Sequence, residues 1–101
     1  MVAYRPKEGK AAALLELMRT HVPILRAEGL ATERPPVLLR AADGTLVEIF
    51  EWVSTEAVEK AHTNPAVGRM WGEFEAACDY VKLGSLAEAD QLFASFELVT
   101  L

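Results

Sequence analysis

Between Leu46 and Trp71 the chain passes from an alternating apolar run straight into two capped helical segments, with no linker between them. On an extended backbone Leu46, Glu48, Phe50 and Trp52 share one side, and Val47, Ile49, Glu51 and Val53 share the other. Both sides carry a single carboxylate among apolar neighbours. A strand of that kind must be covered twice, by helices on one face and by another sheet on the other. Ser54 reads as the N-cap of a short helix through His62, with Glu56 placed in its first turn, where the helix dipole favours an acid. Asn64-Pro65 restarts the helix, Asn64 as cap and Pro65 as first residue. Both of the 2 Trp residues and one of the 2 His residues fall in this stretch, so it is expected to supply most of any reactive site.

The remaining segments fit around it. Val2-Ala3-Tyr4 reads as a short strand stopped by Pro6. From Lys7 to about Glu28, Leu14, Leu17, Met18, His21 and Leu25 recur at steps of three and four, which predicts an amphipathic helix capped by Gly29. Pro23 inside it predicts a kink near Arg19 to His21, whose freed carbonyl would be a partner for the His21 ring. Val37 to Ala41 reads as a strand, turned back at Asp43-Gly44. Val67, Met70, Trp71, Phe74, Ala77, Cys78 and Val81 form a helical stripe that predicts one helix running to Gly84, with Ser85 to Glu88 in capping-box spacing for a further turn. Leu92 to Leu101 alternates as a final strand. The expected order is strand, helix, strand, strand, broken helix, strand.

At 101 residues, with 51% hydrophobic composition, the chain has the size of a single domain spanning residues 1–101, and more apolar side chain than so small a body readily hides. A homodimer that takes up the surplus is the natural expectation. The formal charge of −5 and the lack of clustered Lys and Arg exclude wrapping of a nucleic-acid backbone. No apolar run approaches the roughly 18 residues of a membrane span, and Met1 to Arg5 has no export-type leader, so a cytoplasmic protein is expected. The single Cys, Cys78, has no internal disulfide partner and reads as a buried, inert thiol.

The order of elements is that of a ferredoxin-like βαββαβ plan: α+β, with a four-stranded antiparallel sheet and helices on one face. Two motifs add a family resemblance. Tyr4-Arg5-Pro6-Lys7-Glu8-Gly9-Lys10 is similar to the strand-to-helix junction of the antibiotic-biosynthesis-monooxygenase superfamily. Glu51-Trp52-x-Ser54-x-Glu56-Ala57-x-x-x-Ala61-His62 resembles that family's signature, an acidic-aromatic pair before a helix bearing a His. The resemblance covers the whole chain and implies a dimeric α+β barrel, in which two sheets face each other with the helices outside. It further implies monooxygenation of a small aromatic or polyketide-like molecule without a bound cofactor. Haem-degrading members carry an Asn on the first strand, where this chain has Tyr4.

His62 and Glu51 are the candidate catalytic residues: His62 as a general base that removes a phenolic proton, Glu51 as its assistant. A helix-terminal His bonded to backbone is the plain alternative for His62, and an interface ion pair for Glu51. The candidate substrate-binding residues are His21, Trp52, Trp71, Tyr4, Phe74 and Met70. Trp71, Phe74 and Met70 either line a pocket for a flat apolar ligand or belong to the core, while Trp52 and Tyr4 bring polar handles within reach of a quinone or phenol. Glu48, Glu51 and Glu97 are strand carboxylates among apolar neighbours, and one buried between helices and sheet needs a His partner or a raised pKa. No local His or Cys spacing for a metal occurs, and no glycine-rich phosphate loop. Two alternatives to the monooxygenase stand beside it: a non-catalytic dimer that binds a small hydrophobic ligand, and an isomerase or tautomerase using the same His.

Overall fold

A computed structural model describes all residues, Met1–Leu101. The elements are β1 (Val2–Pro6), α1 (Ala11–Ala27), β2 (Val37–Arg40), β3 (Leu46–Ile49), α2 (Thr55–Thr63), α3 (Pro65–Ala77), β4 (Cys78–Val81) and β5 (Glu97–Val99). All strand pairs are antiparallel, in one five-stranded sheet ordered β4-β1-β3-β2-β5. This α+β arrangement is compatible with the ferredoxin-like plan, enlarged by one strand.

The local signals in the sequence set the helix ends. Gly29 stands at φ 73°, its N–H bonds Arg26 O, and Leu30 N–H bonds Leu25 O at 2.8 Å, which closes the C-terminus of α1 and tucks Leu30 beneath it. Ser54 Oγ accepts from Ala57 N at 3.2 Å, and Asn64 Oδ1 accepts from Ala66 and Val67 N at 2.9 and 3.1 Å. At the hairpin, Gly44 takes φ 92° while Asp43 Oδ1 accepts from Thr45 N at 2.8 Å. That bond is also the main reason the Asp43 carboxyl is held below its usual pKa.

Four expectations are corrected. The helix does not run to Gly84. It ends at Ala77, Cys78 turns extended (φ −152°, ψ 168°), and residues 78–81 become β4, pairing Val81 with Ala3 and Tyr80 with Tyr4. Cys78 and Val81 match a helical stripe only by spacing; the open edge of β1 offers ladder bonds that a further helical turn cannot replace. The sheet consequently has five strands rather than four. The last strand is confined to Glu97–Val99, beside β2, after two 3₁₀ turns at Leu83–Ser85 and Ala87–Asp90. Ser85 caps no helix: its Oγ donates to Lys82 O, and Glu88 is buried, accepting from Ala42 N at 2.8 Å across the β2–β3 turn.

The two sheet faces are unlike. Tyr4, Leu38, Leu46 and Cys78 point to the helices and join Leu14, Met18, Leu25, Val67, Met70 and Phe74 in the main core. Ala3, Ala41 and Val47 point the other way and are covered by Leu86, with Leu83 and Phe96 packed alongside.

Candidate functional site

β3 carries Glu48 on the helix side of the sheet, and α1 brings His21 over it from above. His21 Nδ1 lies 2.6 Å from Glu48 Oε1, with His21 3% and Glu48 2% exposed. Tyr4, on the neighbouring strand β1 and two residues along from Val2, the residue opposite Glu48, donates its hydroxyl to the same Oε1 at 3.0 Å. A carboxylate only accepts, so the Nδ1 facing it carries the proton, and the Nε2 lone pair is the free one. Nε2 has no protein partner and is not sealed from solvent, since no His21 atom is among the buried unpartnered ones. α1 is continuous through Pro23, and the His21 partner is this carboxylate rather than a carbonyl released at a kink.

The ring of His21 is wedged between Phe50 and Phe74, with centroids 5.3 and 5.2 Å away and both contacts edge-on. Burial, reinforced by the Glu48 charge and hydrogen bond, pushes the Tyr4 phenol far above its usual pKa, so it remains a donor. Tyr4, Glu48 and His21 are thus one buried chain of hydrogen bonds with an imidazole at its open end.

That end opens on a cavity of about 370 Å³, lined by Val2, Tyr4, His21, Phe50, Trp52, His62, Trp71, Glu75 and Tyr80. His62 faces it from the last turn of α2. Its Nδ1 donates to Val58 O at 2.7 Å, its ring stands edge-on to Trp71 at 5.2 Å, and its Nε2 is left as an acceptor. Burial raises the Tyr80 phenol to about 12, helped by neighbouring acids.

No family model, curated protein or solved structure matches this chain. The site therefore stands on its own chemistry.

Of the residues singled out from sequence, Tyr4, His21, Trp52, His62 and Trp71 meet at this cavity. Phe74 is fully buried behind it, against the rings of Tyr4 and His21, and Met70 is a core side chain. Glu51 is not brought to His62. It lies in a separate depression with Arg34, accepting from Thr32 Oγ1 at 3.0 Å, with Arg34 Nε at 3.6 Å. The reason is the pleat: Glu51 leaves the strand on the side opposite to Phe50 and Trp52, whereas Glu48 shares theirs. Glu97, the third strand carboxylate, pairs with Arg40 at 3.4 Å near the surface. Val2, Phe50, Glu75 and Tyr80 are the lining residues that sequence reasoning did not single out as site residues. Trp71 and Glu75 stand four apart on α3, a spacing that places them one turn above each other.

No three His, Cys, Asp or Glu side chains stand close enough to hold a metal ion. Cys78 is buried, its Sγ donating to Phe74 O at 3.2 Å, and burial raises its thiol pKa, so it lacks thiolate character. No helix is long and apolar enough to cross a membrane.

Proposed function

We propose that the cavity is a general-base site that takes a proton from a phenol or enol of a small flat molecule, on which molecular oxygen then acts without a bound cofactor. The observation that carries this reading is the 2.6 Å His21–Glu48 pair opening into an aromatic cavity. Such a base needs a free nitrogen, a fixed tautomer and a group that stabilises the imidazolium it becomes. His21 has all three: Nε2 free, Nδ1–H held, and the Glu48 carboxylate, itself tethered by Tyr4. The surrounding rings hold a flat substrate anion in one orientation against the base.

The anion supplies the electrons. Oxygen adds at the activated carbon, a CH₂ becomes a carbonyl, and the second oxygen atom leaves as water with the two hydrogens. His21, which holds the abstracted proton as an imidazolium beside Glu48, returns it to the departing oxygen, while His62 Nε2 across the cavity is left to accept a hydrogen bond from the substrate.

The reading also takes the chain to be a homodimer, joined at the β5 end of the sheet, where apolar side chains stay exposed. On the sheet face away from the helices Ala3 and Val47 are already covered by Leu86, and the apolar side chain left to a partner is Leu98 on β5, 68% exposed. Leu92 and Phe93, in the segment that leads into β5, are 93% and 87% exposed, more than a lone domain usually leaves to water at large apolar side chains.

Oxygen uptake with a panel of anthrones and hydroquinones tests the reaction. Uptake that falls at least about a hundredfold in His21→Ala is expected, from the usual size of a general-base contribution. Substrate rearrangement without oxygen uptake replaces the monooxygenase by a tautomerase at the same base. Binding that survives His21→Ala, with no turnover by either protein, leaves a ligand-binding module.

A further inference from the structure

The lining of the cavity is electrically one-sided. No Lys or Arg contributes to it, and the one carboxylate that does is Glu75. The Glu75 side chain has no ion-pair or hydrogen-bond partner; only its backbone carbonyl is taken, by Lys7 Nζ at 2.9 Å. It stands one helical turn beyond Trp71, so a ring lying against Trp71 has the carboxylate about 6 Å further along the helix. The other walls include the rings of Phe50, Trp52 and Tyr80, and Glu48 lies behind His21. Aromatic faces carry negative potential and attract a cation, and the chain's formal charge of −5 adds to the same field.

We infer that the molecule this cavity takes carries a basic nitrogen on a short arm: a phenolic amine, with its ring between Trp52 and Trp71 and its ammonium at Glu75. The inference rests on the reading of the cavity as a site for a small aromatic molecule, and it adds the charge of that molecule. The phenol end then reaches toward His21 and the amine end marks the mouth. A carboxylate on the same arm meets Glu75 and aromatic side chains, with no Lys or Arg in the lining to receive it, the Lys7 ammonium being taken up by the Glu75 carbonyl.

Both Trp residues of the chain line the cavity, and Trp52 also lines the Arg34 depression, so emission is followed in Trp52→Phe, where Trp71 alone reports on this site. Three probes of one shape test the inference by quenching of that emission in the full chain: tyramine, its neutral alcohol analogue tyrosol, and 3-(4-hydroxyphenyl)propionate. The expected order is tyramine about five- to tenfold tighter than tyrosol, with the carboxylate weakest. In Glu75→Gln, an exposed substitution, the advantage of tyramine drops to about twofold while tyrosol is unchanged. Equal binding of tyramine and tyrosol, a carboxylate that binds best, or a preference untouched by Glu75→Gln overturns the inference and leaves the aromatic site standing. Failure of all three probes to bind overturns both.

Discussion

The two faces of the sheet are built from the same alternating strands, yet they treat polar groups differently. On the helix face, β3 buries Glu48 and supplies it with two donors, His21 Nδ1 and Tyr4 Oη. On the other face, Thr45, two residues before Val47, is fully buried and its hydroxyl has no partner. The helix face is thick enough to bring a second and third polar side chain to the same point. Opposite it, a single stretch of 3₁₀ turns lays Leu86 and Leu83 over Ala3 and Val47, and its one buried polar side chain, Glu88, goes to Ala42 N and not to Thr45. Chemistry follows thickness: a reactive group held among apolar neighbours needs partners from several elements, and only one face provides them.

Removing Glu48 is the severest way to break this contrast. Glu48→Ala strands His21 and the Tyr4 hydroxyl among apolar neighbours, and about 3–5 kcal/mol of unfolding free energy is expected to be lost, measured by urea denaturation. A loss under about 1 kcal/mol would mean that the buried chain of hydrogen bonds contributes little to the fold. Glu48→Gln keeps an acceptor in place, so it unfolds less readily than Glu48→Ala while still lowering turnover.

The phenols give the next effect, and its sign follows from proton counting. Unfolded tyrosines lose their protons near pH 10. Folded Tyr80 holds its proton to about 12 and Tyr4 holds its own beyond that, both mainly because burial disfavours the phenolate. Below pH 10 both states are protonated and the two phenols add no slope. Above it the unfolded chain binds fewer protons, so stability falls, with Tyr4 alone contributing up to about 1.4 kcal/mol per pH unit. Denaturation midpoints at pH 9, 10 and 11 measure the slope, and Tyr4→Phe should flatten it. At neutral pH the same substitution costs about 1 kcal/mol, the hydrogen bond to Glu48.

The thin face predicts a gain. Thr45→Val replaces an unpartnered buried hydroxyl by a methyl of the same shape, and a stabilisation of about 1 kcal/mol is expected by thermal or urea unfolding. A destabilised variant would show that the hydroxyl is served by an ordered water, and the contrast between the faces would narrow.

What could be read in the sequence divides along the same physical line. Gly29, Ser54, Asn64-Pro65 and Asp43-Gly44 act within a few residues of themselves, and each did in the structure what its type predicts. Cys78 to Val81 did not, because the choice of strand over helix there is made by β1, more than seventy residues away. Misreading that segment also hid Tyr80, whose ring reaches the cavity only because β4 is a strand. The site was half legible. Alternation put Glu48 with Phe50 and Trp52, and the helical stripe put His21 on the inner side of α1, but their meeting across 27 residues is a tertiary fact. Spacing favoured Glu51 instead, since it adjoins Trp52 and precedes the helix of His62.

Glu51 is therefore the sharpest control for the comparison. It lies three residues from Glu48 on the same segment, differs in the side of the strand it faces, and is half-exposed where Glu48 is sealed. Its partners, Thr32 Oγ1 and the exposed Arg34, are ones that water replaces at small cost. Glu51→Gln should cost less than about 0.5 kcal/mol in urea unfolding and leave oxygen uptake within about twofold of the parent. If instead Glu51→Gln abolished turnover while Glu48→Gln spared it, the reacting molecule would sit in the Arg34 depression, and His21 with Glu48 would be a structural pair only. The two glutamines, compared at equal folding, assign the reactive side of the sheet.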